Sequence, residues 1–168
     1  MSISMHSASA PVFVKMLTSL SKWLDAAEAH AVLKKFDPNV LLSARLAPDM
    51  LPFTKQVQIA SDHAKGAMAR LAGIELPKYE DNEASLAELK ARVRKTIDFV
   101  QSVPASQVDG SEERDVVLPM RSGTLNLKGE GYLTQFAMPN FYFHVSMAYA
   151  LLRHNGVEIG KADYLGAR

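Results

Sequence analysis

Apolar residues recur at helical spacing in four stretches of this chain. Residues 11–35, 52–72, 85–102 and 139–155 each place apolar side chains three and four positions apart, which puts them on one face of an α-helix. The second stretch is rich in alanine, and such small side chains allow a neighbouring helix to approach closely. Four amphipathic helices of this length predict a helix bundle.

Local signals mark the ends of these helices. Pro11 suits a first turn, where its missing N–H is not needed, and Gly73 suits the left-handed residue that ends a helix. Ser85 and Glu88 form the reciprocal capping pattern at the start of the third helix, which Pro104 ends.

Between Pro104 and Pro139 the helical pattern stops. Residues 116–120 and 124–127 are extended candidates around Arg121-Ser122-Gly123, which predicts a hairpin. The chain is therefore expected to be an all-α four-helix bundle with a small β-hairpin insert between helices 3 and 4. Residues 1–168 are expected to form a single domain, with residues 1–10 flexible.

Charge and composition exclude several classes of protein. The chain has 19 Lys and Arg against 18 Asp and Glu, and the basic residues are scattered. The densest cluster, Arg92, Arg94 and Lys95, is interpreted as a solvated helix face, so no nucleic-acid partner is expected. There is no cysteine, which excludes thiol nucleophiles and thiolate metal sites.

The chain also lacks targeting signals. No apolar run approaches the ~20 residues that span a bilayer, so no membrane partner is expected. The first ten residues lack the charged start and long apolar stretch of a secretory signal. A cytoplasmic location is expected.

Two of the five histidines, His63 and His144, lie beside the apolar stripe near the middle of their helices. A bundle can place such side chains in its core. Asn140 precedes His144 by four residues, so both side chains are expected to project from one helical face. Asp62 adds a carboxylate next to His63. These four residues are the predicted pocket.

The same residues suggest a metal site. His63, Asn140 and His144 could hold one divalent ion of the zinc or nickel class, with open positions for water. A hydrogen-bonded His–Asn pair without metal is the alternative that the residues favour.

A family resemblance covers nearly the whole chain. The stretches RLAPDMLPFTKQVQIASDHAKGAMARLAG and PNFYFHVSMAYALLRHNGVEIGKADYLG resemble a domain-of-unknown-function branch of the DinB/YfiT-like bundle superfamily. Better known members carry one metal-binding histidine on the second helix and two, four residues apart, on the last. In those members an arginine and a glycine follow at the spacing that Arg153 and Gly156 have from His144.

This registration implies that His63 lies near the first ligand position and that Asn140 replaces one histidine. In some relatives the activity resembles metal-dependent transfer or isomerisation that involves a small thiol. The resemblance also draws attention to other polar residues in the two stretches: Arg45, Asp49, Gln56, Lys161 and Asp163.

Two functions stay open at this point. One is a small-molecule enzyme or binding protein with a pocket between helices two and four, in which the expected partner is a small-molecule ligand. The other is a non-enzymatic structural or interaction protein in which the polar residues fix the register of the bundle. A homodimer is expected in either case, through Phe13, Met16 and Trp23 on an exposed side of helix one.

Overall fold

The helices predicted from sequence are present and form a bundle. The computed structural model describes residues 3–120 and 123–167. In chain order these residues form α1 (Met5–Lys34), a 3₁₀ helix (Pro38–Ser43), α2 (Phe53–Ala72), α3 (Leu86–Ser102), α4 (Ala105–Val108), β1 (Asp115–Met120), β2 (Gly123–Lys128), α5 (Gly129–Gly131), a π-helical segment (Tyr132–Ala137), α6 (Met138–His154) and α7 (Lys161–Tyr164).

The four long helices enclose one apolar core. Helix α2 packs against α6 and α3, and α1 packs against α3 and α6, so the helices form a ring around the core. The predicted all-α bundle is confirmed. Among the helices of the described residues, none combines the length and apolarity that crossing a bilayer requires.

Helix α1 begins earlier than the sequence predicted. It starts at Met5 rather than Pro11, because the Ser4 hydroxyl accepts a hydrogen bond from the Ser7 N–H, 3.2 Å away. Met5 and Ala10 are buried. Residues 5–10 therefore belong to the bundle, contrary to the flexible terminus that was expected, and residues 1–2 lie outside the described part of the chain.

The side of α1 that was expected to form a dimer face lies in the core of this chain. Phe13, Met16 and Trp23 are at most 5% exposed. The C-terminal segment covers Trp23: its ring stacks on Tyr164 at a centroid distance of 5.6 Å, and its N–H donates to the Asp163 carbonyl at 3.3 Å. A homodimer stays a prediction, but these three residues cannot supply its interface.

The hairpin insert is confirmed. Strands β1 and β2 pair antiparallel, from Asp115 opposite Lys128 to Met120 opposite Gly123. Val116 and Leu118 are buried in the core, so one face of the hairpin is attached to the bundle. The predicted turn residues Arg121 and Ser122 lie outside the described residues.

The last helix also begins before its predicted start. Helical backbone runs without a break from Gly129 to His154, and Pro139 lies inside it. A proline cannot donate to the carbonyl of the preceding turn and its ring collides with that carbonyl. The wide π-helical turn of Tyr132–Ala137 ends two residues before Pro139, and such turns are common at functional sites.

The basic cluster on α3 is only partly solvated. Arg94 is exposed, but the Arg92 side chain is only 2% exposed. Its guanidinium lies 2.8 Å from Asp62, 3.0 Å from Asp81 and 2.9 Å from Glu83. Arg92 therefore attaches the connection between α2 and α3 to the bundle, which corrects the interpretation of this residue as solvated.

Candidate functional site

His63 on α2 and His144 on α6 lie side by side. Their ring centroids are 6.0 Å apart and the ring planes differ by 12°. The two helices approach closely because α2 buries Ala60, Ala64 and Ala67, whose small side chains leave room for a neighbour. The structure thus brings together the two histidines that the sequence singled out.

Gln56 determines which nitrogen of His144 carries the proton. The Nδ1 atom of His144 lies 2.7 Å from Oε1 of Gln56, and Nε2 of Gln56 donates to the Leu51 carbonyl at 3.1 Å. Because the Gln56 amide presents its oxygen to the ring, Nδ1 of His144 must be the donor. Nε2 of neutral His144 then carries a lone pair, which can accept a proton or bind a cation.

Both imidazoles are neutral at pH 7. Burial, reinforced by repulsion from His144 and Arg70, lowers the pKa of His63 from 6.5 to about 4. Burial also lowers the pKa of His144. Removing a charged group from water disfavours its protonated form, and no carboxylate is among the groups that shift the pKa of either ring.

A cavity of about 310 Å³ opens beside His63, and we call it the hairpin cavity. It lies between α2, the π-helical segment and strand β1, and its walls combine apolar and polar side chains. The lining residues are Asp62, His63, Lys65, Arg70, Leu76, Leu118, Pro119, Met120, Tyr132 and Phe136. Ligand sites have this mixed character, and the volume matches a small ligand.

Arg70 and Tyr132 form the polar end of the cavity. Nη1 of Arg70 donates to the Tyr132 hydroxyl at 3.2 Å, and the guanidinium lies 5.8 Å from the centre of that ring. Burial raises the pKa of Tyr132, so its hydroxyl keeps its proton at neutral pH. The cavity therefore holds a cation, a phenol and a neutral imidazole.

The other two predicted pocket residues have partners elsewhere. Oδ1 of Asp62 lies 2.8 Å from Arg92 and 3.1 Å from Lys65, so this carboxylate is neutralised although it lines the cavity. The Asn140 amide donates to the Phe136 carbonyl of its own helix at 2.7 Å. The hydrogen-bond partner of His144 is thus Gln56, and not Asn140 as the sequence suggested.

The donor set fits a three-histidine centre only in part. His63 and His144 supply two imidazoles, while Asn140 stands where the resemblance expects a third. Within the described residues, no group of three or more His, Cys, Asp or Glu side chains is arranged to hold a metal ion. Catalytic zinc sites usually have three protein ligands.

Sequence reasoning missed most of the cavity. Arg70 was not singled out because a lone arginine on a helix is usually a solvated charge. Tyr132 and Phe136 were missed because they precede the predicted helix start, and the π-helical segment carries both. Pro139 following helix-compatible residues was the available signal, since a proline inside a helix removes a backbone hydrogen bond and often distorts the turn before it.

Two other polar residues noted in the sequence, Arg45 and Asp163, have local roles. Arg45 donates to the Met50 carbonyl and holds the connection before α2. The Asp163 carboxylate accepts from the Gly160 N–H at 2.7 Å and caps α7. Neither residue lines the hairpin cavity.

Comparison with known proteins decides the family. A family described as "Domain of unknown function (DUF1993)" matches residues 5–165. The chain belongs to the DUF1993 family. A crystal structure of a DinB family member protein from Shewanella denitrificans shares 41% sequence identity with this DUF1993 domain at a TM-score of 0.91.

That match covers 97% of this chain and 92% of the other chain. No protein of curated function matches. The resemblance to DinB-like bundles is thus confirmed, and the fold of this DUF1993 domain is shared over nearly its whole length.

Proposed function

We propose that this DUF1993 domain binds a small molecule in the hairpin cavity. One observation carries the proposal: His63, a neutral imidazole, stands in the wall of a cavity of about 310 Å³ that also presents a guanidinium and a phenol. Convergent polar groups in an otherwise apolar pocket are the usual form of a ligand site.

The histidine pair suits recognition of a polar group. A neutral imidazole can accept a hydrogen bond from a ligand or take a proton from it. His144 lies behind His63 and its Nδ1 proton is committed to Gln56. Because this hydrogen bond holds the His144 ring, His63 has a fixed neighbouring ring on one side.

A divalent metal ion is a second candidate ligand. The observation that favours it is the free Nε2 lone pair of His144 in a ring whose centroid lies 6.0 Å from that of His63. Two imidazoles would then hold the ion, and water would occupy the other positions. Zinc or nickel is the class of ion that imidazole ligands suit.

The competing function is a structural one, in which the histidines only fix the register between α2 and α6. Such a protein would need the pair for stability and would bind nothing in the cavity. The two functions differ in whether a small molecule changes the nuclear magnetic resonance signals of the histidines, so a measurement in solution can distinguish them.

The test is nuclear magnetic resonance of the histidine Cε1–H groups during addition of small acids, amides and alcohols. Five histidines give five separate signals. We expect at least one compound class to shift the signal of His63 in a saturable way and to leave exposed His154 unchanged. His63→Gln should abolish binding, and His30→Gln, a matched change on α1, should not.

A cavity that binds nothing would overturn the proposal. In that case no compound would shift the His63 signal, while His63→Gln would alter only the free energy of unfolding.

The metal candidate has its own test, which is calorimetric titration of untagged protein with Zn²⁺ and Ni²⁺. Binding should weaken in both His63→Gln and His144→Gln but not in His154→Gln, and binding that ignores these substitutions would exclude a metal at this pair.

A further inference from the structure

Arg70 differs from the other charged residues of the hairpin cavity in lacking an ionic partner. Asp62 and Lys65 pair with each other, and Asp62 also pairs with Arg92. Within residues 3–120 and 123–167, no carboxylate forms a salt bridge with Arg70. The cavity therefore carries an uncompensated positive charge, although Arg70 is partly buried.

The backbone of α2 makes room for this guanidinium. Arg70 folds back toward the start of the helix and crosses Gly66, where an added β-carbon would lie 2.5 Å from Nη1 of Arg70. A glycine inside a helix is less favourable than an alanine at the same position. The missing side chain at Gly66 is what allows Arg70 to reach Tyr132 from this position.

Tyr132 adds a hydrogen-bond donor next to the cation. Its oxygen accepts from Arg70, and among the described residues its own O–H has no acceptor. A guanidinium and a phenol that both donate to one point are complementary to an acceptor that carries negative charge. Neutral His63 adds no second cation there.

Apart from the paired Asp62 and Lys65, the rest of the cavity wall is apolar. It consists of Leu118, Pro119 and Met120 of the hairpin together with Phe136 and Leu76. One guanidinium balances one negative charge on a ligand, and the apolar walls favour a ligand whose remaining part is a compact hydrocarbon. A carboxylate also matches the planar fork of arginine in a bidentate pair.

We infer that the hairpin cavity takes a small organic carboxylate, whose charged group binds Arg70 and Tyr132 and whose apolar body packs between the hairpin and Phe136. This inference rests on the proposed function, because it names the class of ligand that the cavity binds. It adds a requirement for negative charge that the proposed function does not contain.

The experiment compares phenylacetate with phenylacetamide, which has nearly the same shape and no charge. Dissociation constants are taken from titrations that follow the His63 signal. We expect phenylacetate to bind at least about tenfold more tightly, since a hydrogen bond to a charged group contributes about 1.5 to 3 kcal/mol. Inorganic phosphate, which lacks the apolar body, should bind more weakly than phenylacetate.

Two variants of different kinds test the role of Arg70. Arg70→Met keeps an unbranched side chain about as long as the aliphatic stem of arginine, removes the guanidinium and its charge, and should lower the affinity for phenylacetate about tenfold or more. Gly66→Ala should displace the guanidinium without unfolding the helix, because the obstructed atom is the end of a flexible side chain. Arg94→Met, on the exposed face of α3, is the matched control and should bind as the wild type does.

The outcomes separate this inference from the proposed function. Equal affinities for phenylacetate and phenylacetamide, or an unchanged affinity for phenylacetate in Arg70→Met, would overturn the inference. The cavity would then be a ligand site that does not select for negative charge. If phosphate binds as tightly as phenylacetate, the inference that the apolar walls bind the hydrocarbon part of the ligand is overturned. If no compound shifts His63 in the wild type, the proposed function fails together with the inference.

Discussion

The ring of His144 on α6 donates its Nδ1 proton to the side-chain oxygen of Gln56 on α2, across 2.7 Å. This bond links the two helices that carry the histidine pair. Because the Gln56 nitrogen donates in turn to the Leu51 carbonyl, the direction of both bonds is determined.

Gln56→Leu should therefore destabilise the protein and allow His144 to adopt either neutral tautomer. Nδ1 of His144 would be buried without an acceptor, which costs about 1 to 3 kcal/mol of the free energy of unfolding. Urea unfolding measures the loss, and ¹⁵N spectra of the imidazole should change from Nδ1–H alone to a mixture of tautomers.

The conservative variant Gln56→Glu gives the control for that change. A carboxylate still accepts from Nδ1 and favours the protonated ring, so the pKa of His144 should rise relative to the wild type. A wild-type spectrum with the proton on Nε2 would contradict the assignment of the bond.

Stability should depend on pH through His63. The pKa is about 4 in the folded protein, against 6.5 for the ordinary side chain, so the unfolded chain binds a proton first as the pH falls. The contribution of neutral His63 is fully present above pH 6.5 and is lost progressively as the pH falls toward 4. Between pH 7.5 and 5.0 the loss is roughly 2 kcal/mol.

Urea unfolding at these two pH values isolates this contribution. We expect the pH-dependent loss to be smaller in His63→Gln by roughly 2 kcal/mol, and unchanged in the exposed-site control His154→Gln. Most carboxylates are still ionised at pH 5.0, so they add little to the difference. Equal losses in wild type and His63→Gln would contradict a buried neutral His63.

Arg92 should be the most sensitive charged residue. Its buried guanidinium contacts Asp62, Asp81 and Glu83 and donates to the Glu80 carbonyl at 3.1 Å. Arg92→Leu leaves these groups without their shared partner. Since Asp62 and Asp81 are about 40% exposed and can be hydrated, we expect a loss of about 2 kcal/mol rather than the full cost of a buried pair.

Hydrogen exchange shows where the loss occurs. Amides of residues 79–84 should exchange faster in Arg92→Leu, because the connection loses its attachment to α3. Arg94→Leu, two positions away and exposed, should change stability by less than about 0.5 kcal/mol. Equal effects of the two substitutions would show that Arg92 does not hold this connection.

The hairpin should depend on Leu118. This side chain is 4% exposed, whereas neighbouring Val117 on the opposite face is 59% exposed. Leu118→Ala should cost about 2 to 3 kcal/mol, and Val117→Ala less than about 0.5 kcal/mol. Thermal unfolding of both variants tests which face of β1 is attached to the bundle, and a Val117→Ala cost as large as that of Leu118→Ala would reverse the assignment.

Some features that depend on neighbouring residues could be predicted from the sequence. Gly73 ends α2 with a backbone φ of 68°, as its position predicted. The Ser85 hydroxyl accepts from the Glu88 N–H at 3.2 Å, but the Glu88 carboxylate accepts from the Ala84 N–H, so only half of the predicted reciprocal capping pattern forms. Likewise His63 and His144 were expected to meet, because each lies near the middle of a helix and beside its apolar stripe.

Contacts that depend on how two helices are rotated and shifted relative to each other could not be predicted from the sequence. Gln56 and His144 are far apart in the chain, and their bond requires one particular alignment of α2 and α6. The pairing of Asn140 with His144 assumed a regular helix that starts at Pro139. The structure instead extends this helix backward, and the Asn140 amide binds the Phe136 carbonyl in the turn before it.

The π-helical segment ties the shape of the hairpin cavity to the number of residues between Tyr132 and Ala137. One residue fewer would allow an ordinary α-helix there and would turn everything that precedes it by about 100° relative to α6. Tyr132 would then point away from Arg70, although no residue that lines the cavity had been replaced. Relatives that differ in length at this segment are therefore expected to recognise different ligands, even when their cavity residues are identical.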